Sequence, residues 1–137
     1  GTIEAVARDE AGKTVARHKM ETAGEAVALR IEPESDTWKA DGMDLLYLNI
    51  TAVDRKGRTV PGFNKPLTIE TEGAATLLAI DNGDHYTDDL FLDVNTKPML
   101  QGRMQAIMRS KTADGRVIVK AKAGSLKQIY KTKTSAQ

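Results

Sequence analysis

The sequence predicts an all-β protein built as an antiparallel β-sandwich. Three observations lead there. Apolar and polar residues alternate with a period of two over several short stretches. Turn signals rich in Asp and Gly separate those stretches at close intervals. Long amphipathic helical stripes are missing, which favours a sandwich over a mixed fold. At 137 residues the chain has the size of one ordinary domain, or of one domain and a fragment. A (β/α)8 barrel needs about 250 residues, so no such catalytic barrel fits.

The first 24 residues read as a separate unit. Thr2–Arg8 and Thr14–Thr22 flank Asp9-Glu10-Ala11-Gly12, a hairpin pattern, and Thr22-Ala23-Gly24-Glu25 is a small polar linker. A lone two-stranded hairpin is marginal in water, so it packs on the main domain or belongs to a preceding one. In Leu45–Val53, residues Leu46, Leu48, Ile50 and Ala52 share one face, the mark of a half-buried strand. Asp54-Arg55-Lys56-Gly57-Arg58 follows, with Gly57 available for the positive φ of a tight hairpin. Leu67, Ile69 and Thr71 alternate with Thr68, Glu70 and Glu72. Ala75–Ile80 is a more continuous apolar run, consistent with a strand buried on both sides. Met99, Leu100, Met104, Ile107 and Met108 fit a helical stripe about as well as Met104, Ala106 and Met108 fit a strand face. Gly102 and the neighbouring β pattern favour the strand. Val117, Val119, Ala121 and Ala123 form the next alternation, after the turn at Asp114-Gly115. Leu126–Thr134 is the last strand, with Lys127, Lys131 and Lys133 guarding an edge. The turn Asp9-x-x-Gly12-Lys13-Thr14-Val15 is echoed by Asp54-x-x-Gly57-Arg58-Thr59-Val60. That echo is explained either by two tandem modules or by one good hairpin turn used twice.

Composition narrows the function. There is no Cys, which removes disulfide frameworks, thiolate zinc sites, Cys nucleophiles and iron–sulfur clusters. The aromatics are Trp38, Tyr47, Phe63, Tyr86, Phe91 and Tyr130, a thin set for stacking sugars or bases. No stretch approaches the roughly 18 apolar residues of a membrane span, so no membrane partner is expected. The first eleven residues lack the basic-then-apolar order of a signal peptide, so the sequence reads as a piece of a longer chain. Net charge is +1 but uneven: −1 over residues 1–65, −7 over 66–96 and +9 over 97–137. The favoured reading is that acidic and basic segments face each other in one fold. The basic residues lack interleaved aromatics and match no nucleic-acid motif, so nucleic acid is not an expected partner.

Candidate site residues are few. Asp81-Asn82-Gly83-Asp84-His85-Tyr86-Thr87-Asp88-Asp89 offers several hard oxygens that could ligate Ca²⁺. Gly83 falls where an EF-hand needs a ligand, and a turn in which Asp and Asn side chains bond the backbone is the favoured reading. No metal and no cofactor is therefore expected. The acids around His85 would raise its pKa. No Ser or Cys motif places a nucleophile beside it, so an exposed loop histidine is expected and no catalytic residue is assigned. Trp38 and Tyr86 are candidate sugar-stacking platforms. Trp38, just before a strand, could equally cap the core or a domain interface.

Several motifs then occur in a telling order. They are Lys39-Ala40-Asp41-Gly42-Met43-Asp44-Leu45, Val53-Asp54-Arg55-Lys56-Gly57-Arg58-Thr59-Val60-Pro61 and Ile69-Glu70-Thr71-Glu72-Gly73. Ile80-Asp81-Asn82-Gly83-Asp84, Leu100-Gln101-Gly102-Arg103 and Met108-Arg109-Ser110 follow. This order resembles the C-terminal immunoglobulin-like domain of glycoside hydrolase family 2 enzymes of the β-galactosidase type, over about residues 26–134. Residues 2–24 resemble the closing hairpin of the β-sandwich domain that precedes it in such enzymes. The resemblance implies an immunoglobulin-like sandwich over 25–137, after a hairpin over 1–24 from a neighbouring domain. It implies a non-catalytic, accessory role and partners among the other domains of the parent polypeptide. It also implies an extracytoplasmic setting, periplasmic or at the cell surface. The family's two catalytic glutamates sit on a barrel, where retaining hydrolysis holds them about 5 Å apart, and none of the matched motifs belongs to that barrel. The alternatives are a carbohydrate-binding module and an adhesin-type stalk repeat.

Overall fold

The computed structural model describes residues 2–8, 14–21, 23–83 and 95–136, the first two segments by their backbone alone. The described residues form ten strands and no helix. β1 (Thr2–Arg8) and β2 (Thr14–Glu21) pair antiparallel as a sheet of their own, with a register shift between Ala7 and Arg8. The other eight build two four-stranded antiparallel sheets.

The first sheet has the order β3 (Ala28–Pro33), β4 (Leu45–Val53), β8 (Arg103–Ser110), β6 (Ala75–Asp81). The second has the order β10 (Leu126–Thr134), β9 (Gly115–Ala123), β5 (Pro66–Gly73), β7 (Thr96–Pro98). The chain changes sheet at every step from β4 to β9, so each sheet is assembled from segments far apart in sequence. Only β3–β4 and β9–β10 are hairpins within the eight. This is the immunoglobulin-like sandwich that the alternation and the motif order predict.

Alternation places the core. Leu46, Leu48, Ile50 and Ala52 of β4 and Met104, Ala106 and Met108 of β8 point inward from one sheet. Leu67 and Ile69 of β5 and Val117, Val119, Ala121 and Ala123 of β9 point inward from the other. All are buried. The Met104 face settles the helix-or-strand ambiguity of residues 99–108 in favour of a strand. With no disulfide between the sheets, these side chains hold them together. Each fully buried Leu or Ile contributes about 1.5–3 kcal/mol.

One strand departs from expectation, and two were not foreseen. Ala75–Ile80 is not buried on both faces: β6 is the edge strand of its sheet, and only Ala75 and Ile80 are fully buried. A bulge between Leu77 and Ala79 breaks the alternation, which is why the run looked continuous. β3 was missed because its outward residues are charged and only Leu29 is buried. β7 was missed because it is three residues long.

The tightest crossing between the sheets is at Gly73. β5 ends there, β6 begins at Ala75, and the Ala74 amide donates to the Arg116 carbonyl at 2.9 Å. Gly73 has φ of 96°, and a Cβ on it would lie 2.0 Å from the Arg116 carbonyl oxygen. Only glycine fits both the angle and the space. Gly73→Ala is expected to cost about 3 kcal/mol, read as a lower midpoint in chemical denaturation with an unchanged slope.

Candidate functional site

The sequence-predicted candidates fall on opposite ends of the sandwich. At one end, the segment between β3 and β4 crosses below the core. Trp38 sits on it, 3% exposed, within the core cluster. Its indole N–H donates to the Asp44 carbonyl at 2.8 Å. The Ser135 amide donates to the Trp38 carbonyl, and the Ala40 amide donates to the Ser135 carbonyl, each at 2.8 Å. The segment thereby straps the end of β10 to the opposite sheet. Trp38 is a cap on the core, and its proposed role as a sugar-stacking platform is corrected: neither ring face is open.

The Lys39-Ala40-Asp41-Gly42-Met43-Asp44 motif builds this strap. Asp41 Oδ1 accepts the amides of Met43 at 2.8 Å and Asp44 at 2.7 Å, a side-chain-closed turn. Asp44 Oδ2 accepts the Lys39 amide at 2.8 Å. Hydrogen bonds from the Met43 and Asp44 amides hold the Asp41 carboxyl below its ordinary pKa. The motif's acids are thus consumed in positioning Trp38.

At the other end lie the turns around Asp54 and Asp81. Asp81 Oδ1 accepts the Gly83 amide at 2.9 Å, and Asn82 Nδ2 donates to the Pro98 carbonyl at 2.9 Å. Both side chains bond the backbone, as the turn reading expects. Asp84, His85 and Tyr86, with the rest of the acidic loop through residue 94, lie outside the described residues.

The strongest polar node is one that sequence reasoning took for a simple turn. Asp54 follows β4 and is 4% exposed. Its Oδ1 accepts the amides of Lys56 at 2.9 Å and Arg58 at 3.0 Å. Its Oδ2 accepts the Gly24 amide at 2.9 Å and the Arg58 Nε–H at 2.8 Å. The bond to Gly24 leads the causes that push the Asp54 pKa far below its ordinary 3.8, and the Arg58 amide and side chain add to it. The Asp-x-x-Gly-basic pattern could have flagged the turn. Nothing local signals the reach to Gly24, thirty residues back.

Carboxylates bonded to backbone amides thus shape both ends of the sandwich, and comparison with known proteins gives its family. Residues 29–130 match the model of the glycoside hydrolase family 2 C-terminal domain 5, and the chain belongs to that family. A β-galactosidase of Bacteroides ovatus is 27% identical over 128 residues, 93% of this chain. A β-galactosidase of Thermoanaerobacter pseudethanolicus is 28% identical over 112 residues, 82% of this chain. A crystal structure of a glycosyl hydrolase family 2 member from Bacteroides cellulosilyticus superposes with a TM-score of 0.80 at 26% identity. It covers all of this chain and 17% of that one. The chain spans 15% and 13% of the two relatives' lengths.

The depressed Asp54 pKa makes a pH prediction. A carboxyl depressed on folding stabilises fully above its unfolded pKa, and that contribution is lost as pH falls toward the native value. Asp54→Asn is expected to lower the melting temperature at neutral pH. The gap to the unaltered chain should be constant down to about pH 4 and shrink below it, read by thermal melts at fixed ionic strength.

Proposed function

We propose that the chain is the accessory, non-catalytic C-terminal domain of a β-galactosidase-type family 2 glycoside hydrolase. Its role is to pack on the other domains of the parent polypeptide and stabilise them, while the chemistry is carried elsewhere. The family match over residues 29–130 carries this reading. The small share of each relative that the chain spans supports it. So does the use of the motif carboxylates at Asp41, Asp44 and Asp54 in closing turns, which leaves them committed to backbone partners. The β1–β2 hairpin is read as the closing hairpin of a preceding domain, held to the sandwich through the linker at Gly24.

Deleting residues 25–137 from the parent enzyme is expected to lower its melting temperature by several degrees. The kcat on a small aryl galactoside should stay within about twofold, and this chain alone should show no turnover. Turnover by the isolated chain, or an unchanged melting temperature in the truncated parent, would overturn the reading.

A further inference from the structure

The outward face of the second sheet carries a dense pattern of cations. The β9–β10 register places Lys127 beside Lys122, Ile129 beside Lys120, Lys131 beside Ile118 and Lys133 beside Arg116. Period-two alternation sends all eight to the outer side, opposite the buried Val117, Val119, Ala121 and Ala123. β5 adds Glu70 opposite Lys120, and Glu72 bonds Lys120 at 3.2 Å. The facing of acidic and basic segments expected from the sequence is therefore real but partial. The side chains of Arg116, Lys122, Lys127, Lys131 and Lys133 have no ion-pair or hydrogen-bond partner among the described residues and are exposed.

The relief of this face is as informative as its charge. Two clefts lie on it in series. One of about 590 Å³ is lined by Thr68, Lys120, Lys122, Lys127 and Ile129, with the Glu70 carboxylate on its β5 side. The other, of about 340 Å³, is lined by Arg116, Ile118, Lys131 and Lys133. Together they follow the strands from residue 122 back to 116, about 20 Å at about 3.4 Å per residue. Cations stand at residues 116, 120 and 122 of β9 and at 127, 131 and 133 of β10, and Ile118 and Ile129 take the remaining outward positions.

We propose that this trough docks a linear polysaccharide bearing carboxylate or sulfate groups. A strip of cations along an extended groove matches a linear polymer bearing repeated anions, and a Lys ammonium is a point charge that accepts either group without a fixed geometry. Ile118 and Ile129, diagonal neighbours between the lysines, offer an apolar patch for the C–H faces of the sugar rings. A folded protein partner fits less well, because Lys is depleted in protein interfaces and here occupies the centre. Nucleic acid fits less well too: the face has no aromatic on which a base could stack. The proposal stands on this face alone, and either it or the accessory reading can fail without the other.

The test is titration calorimetry of the 137-residue chain at about 150 mM salt. The probes are polygalacturonate for carboxylates and dextran sulfate for sulfates, with neutral dextran, duplex DNA and polyglutamate as comparisons. Saturable binding to one or both anionic polysaccharides is expected, weakening as salt rises, with none to neutral dextran. The variant Lys122→Gln/Lys127→Gln/Lys131→Gln/Lys133→Gln should bind at least about tenfold more weakly with an unchanged melting temperature. If that variant fails to fold, Lys122→Gln/Lys127→Gln alone should still weaken binding, and the four Lys→Arg changes should preserve it. Absence of binding to both polysaccharides overturns the proposal. So does equal binding by a folded Gln variant, or tighter binding to DNA or polyglutamate.

Discussion

The Asp54 carboxylate is nearly buried yet stays charged, because four N–H donors converge on its two oxygens. Burying an uncompensated carboxylate would be costly, and protonating it would discard the bonds. The same four bonds join three things that are separate in sequence: the linker at Gly24, the end of β4 and the returning turn at Arg58. Just after Gly24 the chain enters β3, whose Ala28 pairs with Val53, the residue before Asp54. The carboxylate thus fixes where the sandwich begins.

From that anchor the rest of the fold is an exercise in joining two sheets without covalent help. The core alternation of β4, β8, β5 and β9 supplies the attraction, and the chain's repeated change of sheet ties the halves together. The end opposite Asp54 is closed by the Trp38 strap, which reaches the last residues of β10 through backbone bonds at Ser135. Asp41 and Asp44 shape that strap as Asp54 shapes the other end. The two ends therefore follow one rule: a carboxylate aimed at backbone amides closes the turn.

Much of this was legible in the sequence where burial imposes a period. β4 and β10 have the boundaries read from the alternation, and β9 differs by the single residue Gly115. Legibility failed where long-range context decides. β3 is charged on its open face and takes its place from pairing with β4, and β6 hides its edge position behind a bulge. Trp38 illustrates the limit for sites. An aromatic before a strand can face solvent or core, and only the strap bonds to Asp44 and Ser135 decide for the core. For Asp54 the turn was evident and the long reach was not, since hydrogen bonds thirty residues apart leave no periodic trace.

The division of labour that emerges is between ends and faces. The ends spend their acids on backbone bonds, and the outer face of the second sheet keeps most of its cations unspent. The central claim is that Asp54 docks the linker onto the sandwich, and amide hydrogen exchange at Gly24 reads that contact directly. The account predicts that the Gly24 amide exchanges far more slowly than in an unstructured peptide. Asp54→Asn should remove that protection while β4 and β8 amides stay protected. Exchange of Gly24 at the free-peptide rate in the unaltered chain would contradict it.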